Sequence, residues 1–313
     1  MEVSNMEKMN VIKRAYIASA YSSRKKKFLK CPNDIYAEKL SESVSVKAHG
    51  WFSRKKDPVP LLMETAKLLV DNKSKSQIWT LADEALTAIA SNPKSKANLL
   101  FELVNWVSLV DFAEPSKAPW ILERAMEIAE GEGKPGMLLE LASSKSNLFF
   151  SGTREEKKNR VGSIIGALFN MSDLHIPNAA VLDFAKILVK NGFGKDAVTL
   201  IRQAIYYANS SRYGSSRSSD NWAGYVAYLA GEGTVIVGKY MHEKDWKSIG
   251  DSIARLAYYK EIWHDNGWQS YKFLAAAKEL APKAVVDSIV EDIQRALPES
   301  EHERFRKVFE GLA

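Results

Sequence analysis

The sequence predicts an all-α protein, arranged as an irregular α-solenoid of helical hairpins. Three observations predict it. Apolar residues recur at i, i+3 and i+4 along most of the chain. No region sustains a period of two, and no Asn-Gly signal joins β-branched runs. Pro and Gly fall where one periodic segment ends and the next begins. At 313 residues and 46% hydrophobic, the chain is long enough for one elongated repeat domain or two ordinary ones.

The segments follow in order. Residues 60–72 place Leu61, Leu62, Ala66, Leu69 and Val70 on one helical stripe. Residues 98–110 repeat the pattern with Leu99, Leu103, Trp106, Val107 and Val110. Residues 121–129, 161–169, 181–189, 197–208, 249–259 and 285–297 show the same spacing. Pro58, Pro119 and Pro177 sit where a first helical turn tolerates proline. Breaks are expected at 91–95 (SNPKS), 113–119 (AEPSKAP) and 130–136 (EGEGKPG). At 191–194 (NGFG), Gly192 is expected to supply the left-handed residue of a helix stop. The apolar stretch 222–241 has the length of a membrane span, but its neighbours are amphipathic. It reads instead as a buried helix pair broken at Gly231-Glu232-Gly233.

Hairpins are expected to begin near Pro58, Lys94, Lys134 and Pro177, steps of about 40 residues that suit two-helix solenoid units. Val181, Phe184, Ala185, Leu188, Ala197, Ile201 and Ala204, with Gly192 at the turn, resemble the framework of a tetratricopeptide repeat. Thr234, Val237, Gly238, Met241, Gly250, Ala254 and Ala257 fit the same spacing. The resemblance covers these two segments only, and both lack the aromatic residue the family often carries at its fourth position. It implies helical hairpins interlocked through small residues. The expected organisation is a basic segment over 1–57, partly helical or flexible, then a helical-repeat domain over 58–313 with a sub-boundary at 209–221.

Charge is concentrated at one end. Residues 1–60 hold 13 Lys/Arg against 6 Asp/Glu, while the whole chain is +6. A local field of one sign attracts phosphate or anionic lipid. Lys13, Arg14, Arg24, Lys25, Lys26, Lys27 and Lys30 form the main cluster, and Arg54, Lys55 and Lys56 follow Trp51 and Phe52. Cations beside aromatic rings are what single-strand binders use on phosphates and bases. The bland alternative is a solvated arm. Met9–Leu29 is acid-free and basic, so a mitochondrial targeting segment competes with both. The single cysteine, Cys31, cannot form a disulfide within the chain or a Cys-based zinc site, and fits an intracellular reducing compartment such as cytoplasm or nucleus.

Two further stretches draw attention. Residues 209–221 are Ser-rich, a tether or a binding loop in which Arg212 and Arg217 would contact phosphate and Tyr213 would stack. Residues 258–273 are dense in aromatics, and Tyr258, Tyr259, Trp263, Trp268 and Tyr271 form a candidate partner surface as an alternative to core use. Residues 233–239 (GTVIVGK) match phosphate-loop spacing. However, Tyr240 stands where a hydroxyl should hold Mg²⁺, and the intervening residues are bulky and apolar. His49, His175, His242, His264 and His302 include no pair at i, i+4. No catalytic residues, metal or cofactor are expected. The expected function is a non-catalytic scaffold or adaptor for a protein partner, with nucleic-acid coating through the basic segment as the alternative.

Overall fold

The computed structural model describes residues 78–91, 99–133, 135–170, 178–209, 219–257 and 267–312. Among them there is no strand, and the protein is all-α. The helices are α1 (Ile78–Ser91), α2 (Leu99–Ala113), α3 (Ala118–Gly131), α4 (Pro135–Ser144), α5 (Ser146–Phe149), α6 (Arg154–Asn170) and α7 (Asn178–Lys190). They continue with α8 (Gly194–Asn209), α9 (Ser219–Val237), a 3-10 turn (Gly238–Tyr240), α10 (Glu243–Leu256), α11 (Gly267–Leu280), α12 (Lys283–Ala296) and α13 (Glu299–Glu310). The periodic segment 60–72, Pro58, Pro177 and the break at 92–95 lie outside the described residues. No described helix is long and apolar enough to cross a membrane.

The chain divides into two compact units, one over 1–132 with 147–151 and one over 133–146 with 152–313. In the first, α1, α2 and α3 pack on one another. The α2 stripe Leu99, Leu103, Trp106, Val107 and Val110 is buried in full, as its spacing predicts. Leu81, Leu86, Ile121 and Leu122 complete this core. The Glu114 carboxylate accepts a hydrogen bond from the Trp79 backbone N–H (3.2 Å), placing an anion on the exposed amides that open α1. The Trp79 ring meets Trp120 edge-on at 6.0 Å and carries Lys117 Nζ at 5.3 Å. Pro119 stands in the first turn of α3, where its missing N–H costs nothing.

In the second unit each helix packs on its near neighbours in sequence. One row runs α4, α7, α9, α11, α13, each in contact with the next. The other runs α6, α8, α10, α12. Cross-contacts join α4 to α6, α7 to α8, α9 to both α8 and α10, and α11 to α12. Successive first-row helices begin at Pro135, Asn178, Ser219, Gly267 and Glu299, three steps of about 40 to 50 residues and a last one of about 30.

The α7–α8 turn carries the expected stop. Gly192 adopts φ +85°. Phe193 N–H reaches the Leu188 carbonyl (2.8 Å) and Gly192 N–H the Val189 carbonyl (3.1 Å), the paired bonds of a Schellman motif. Val181, Phe184, Ala185 and Leu188 bury one face of α7, and Ala197, Ile201 and Ala204 one face of α8.

One expectation is corrected. The chain does not break at Gly231-Glu232-Gly233, because α9 runs unbroken through all three residues. The glycines serve close approach instead. A Cβ on Gly231 would stand 2.5 Å from the Gln269 backbone oxygen of α11, and one on Gly233 2.7 Å from Ile201 Cγ2 of α8. The helix ends later, in the 3-10 turn, where Gly238 lies under Leu280 and Trp246. The second repeat-like segment, Thr234 to Ala257, therefore starts in the last turn of a 19-residue helix rather than at a helix start.

Candidate functional site

The outer side of the α7–α9–α11 row brings together the best-defined set of accessible side chains in the second unit. On α9, Tyr228, Glu232 and Val235 follow i, i+4, i+7 spacing and share one face. Its opposite face is filled by Ala223, Val226, Ala227, Ala230, Thr234 and Val237, all buried. Tyr228 is 38% exposed and Val235 57%. The buried hydroxyl of Thr234 donates to the Ala230 carbonyl at 2.7 Å, so no polar group of that stripe is left open.

Charges flank the apolar residues. Lys272 Nζ of α11 donates to Glu232 Oε1 at 2.6 Å, and Gln269 Nε2 donates to the same oxygen at 3.4 Å. The Lys272 hydrogen bond holds the Glu232 carboxyl below its ordinary range. Partial burial opposes this, while the Lys272 charge, the Gln269 hydrogen bond and the Lys186 charge from α7 add to it. Lys186 also pairs with Asp183 at 3.1 Å on the exposed side of α7. The face thus sets two exposed apolar side chains, Tyr228 and Val235, on either side of the Glu232 carboxylate, with Lys186 and Lys272 reaching it from the two neighbouring helices.

The second row is tied differently. Arg202 of α8 donates to Asp245 Oδ1 at 2.5 Å, while Asp245 Oδ2 accepts the His242 backbone N–H at 2.8 Å. Asp245 is buried and Arg202 about one-third exposed. One carboxylate therefore caps the start of α10 and locks α10 to α8, which marks it as a structural clasp.

Most residues singled out in the sequence lie outside the described residues. These are Lys13, Arg14, Arg24, Lys25, Lys26, Lys27, Lys30, Arg54, Lys55, Lys56, Arg212, Tyr213, Arg217, Tyr258, Tyr259 and Trp263. Trp268 falls in the first turn of α11. Tyr271 is half-buried, its ring stacked on Phe305 of α13 at 6.5 Å, and burial pushes its phenol pKa up. Phe273 is fully buried, 6.0 Å from Trp246. In the phosphate-loop look-alike, residues 233–237 are helical and Lys239 lies over the Tyr240 ring at 5.1 Å. Among the described residues, no group of three or more His, Cys, Asp or Glu could hold a metal ion.

Sequence reasoning missed Tyr228, Val235 and the Lys272 bridge. The Tyr228–Glu232–Val235 spacing was a visible signal, but it mattered only once α9 was known to be one helix. No protein-family model, curated protein or solved structure matches this chain.

Proposed function

We propose that this chain is a non-catalytic helical-repeat scaffold or adaptor. Its second unit would be a short stack of tetratricopeptide-like hairpins presenting the α7–α9–α11 face to a protein partner. The observation that carries the reading is the two-row, near-neighbour packing of α4 and α6 to α13, with Tyr228 and Val235 exposed on the central helix of one row. A partly exposed Tyr buries much area at small entropic cost, Val235 adds an aliphatic contact two turns on, and the Glu232 carboxylate between them with Lys186 and Lys272 at the border supplies polar and charged contacts. Small residues support the repeat-like packing: Ala197 and Ala204 are buried on α8, and Gly250 stands against Ile289. The lone cysteine agrees with action in a reducing compartment.

A second reading rests on a separate observation, the concentration of the positive charge in residues 1–60. That segment would grip a polyanion, either to anchor the scaffold or to coat nucleic acid. One experiment separates the two. The full chain and a Tyr228→Arg/Val235→Arg variant are recovered from cells, with and without nuclease, and the co-purifying material is identified. The scaffold reading expects defined protein partners that survive nuclease and fall at least about tenfold in the variant, a loss of about 1.4 kcal/mol or more. Partners lost on nuclease treatment, with nucleic acid bound equally by both proteins, would favour the coating reading.

A further inference from the structure

The last described helix, though twelve residues long, is held by little burial. Of the twelve residues of α13, only Phe305 is buried. By contrast, α12 buries Val285, Val286, Ile289 and Ile293. Phe305 stacks between Tyr271 of α11 (6.5 Å) and Phe309 (6.3 Å). Lys278 of α11 stands over Phe309 at 5.5 Å and donates to the carbonyl oxygens of Glu310 and Leu312. These contacts run along one edge of α11, the helix with which α13 makes its principal contact.

What makes α13 a helix is, by contrast, largely internal. Glu299 and Glu301 open it and Lys307 stands in its last turn, the arrangement the helix dipole favours. Lys307 pairs with Glu303 at 2.7 Å and Arg304 with Glu301 at 4.0 Å, both within the helix. His302 Nε2 lies 2.9 Å from the Leu297 carbonyl and secures the start. The sequence thus supports the helix locally and docks it on α11 through one buried side chain, Phe305, with Lys278 and the Arg304 and Glu301 charges near Tyr271 adding exposed or half-exposed contacts. Segments with few buried apolar contacts open before the bodies they lie on.

We infer that α13 is a releasable strap that covers the Tyr271 edge of α11 and opens ahead of the helices beneath it. Closed, it occupies the aromatic edge itself. Open, it bares Tyr271 and Phe305 together, so access to that edge is governed by the strap. In the closed state Phe305 of the strap stacks on the Tyr271 ring at 6.5 Å. The inference concerns α13 alone and does not depend on what the α9 face binds.

Hydrogen exchange read by mass spectrometry on the full chain tests it. Backbone amides of residues 303–310 are compared with those of α10 and α12. The strap predicts exchange at least about tenfold faster in α13 under native conditions. In Phe305→Ala, protection in α13 should be lost and nitration of Tyr271 should rise, with α10 and α12 unchanged. Equal protection in α13 and α12 of the wild-type chain would overturn the inference. So would a Phe305→Ala chain in which α10 and α12 loosen as much as α13, since α13 would then be part of the body.

Discussion

Glycine inside a helix ordinarily costs about 1 kcal/mol relative to alanine, so glycines that survive in helix interiors need a reason. In α9 the reason is contact. The Cβ of an alanine at 231 would press on a backbone oxygen of α11, which has little room to yield, and one at 233 on the branched Ile201. In α6, Gly162 and Gly166 meet nothing within 4 Å of the same added atom. The substitutions should therefore have opposite signs within one compact unit. Gly231→Ala should destabilise by about 1–3 kcal/mol through overpacking. Gly162→Ala and Gly166→Ala should stabilise by up to about 1 kcal/mol each. Urea midpoints at unchanged slope are the readout, and a stabilising Gly231→Ala would mean that α9 and α11 do not approach as described.

At the scale of elements, the tie between α9 and α11 should be visible in acid. The Glu232 carboxyl is depressed chiefly by its hydrogen bond from Lys272. A depressed carboxyl contributes stability that is fully present above its unfolded pKa, near 4.5. That contribution is lost as pH falls through the lower folded value. Glu232→Gln should accordingly flatten the stability profile below about pH 4.5 while leaving the slope between pH 6 and 8 unaltered. An acid profile identical to that of the wild type would show that the bridge adds nothing to holding the two helices. Elements were also where the sequence was most and least readable. The buried stripe of α2 could be read residue by residue, because Leu99 to Val110 repeats one period without interruption. The Gly192 stop was equally plain, since it is a local device. The continuity of α9 was not legible. Gly231 and Gly233 look like a break until their partners, Gln269 and Ile201, are brought beside them from 30 or more residues away. The clasp of Asp245 on Arg202 is hidden for the same reason, because spacing along the chain says nothing about it.

At the scale of the whole molecule, the all-α class followed from periodicity, and the segregation of charge into the first 60 residues was legible without any structure. The accessible α9 face was not, because exposure depends on which helices sit on either side. That face has meaning only if the second unit is built by near-neighbour stacking rather than around one shared centre. Ile289→Ala provides the most direct test. Ile289 is buried on α12 and lies against Gly250 of α10, so its truncation should cost about 2–5 kcal/mol locally. Hydrogen exchange should then quicken in α10, α11 and α12 and remain at the wild-type rate in α4 and α6. An equal increase from α4 through α12 would contradict the stacked architecture and, with it, the surface on which the proposed function rests.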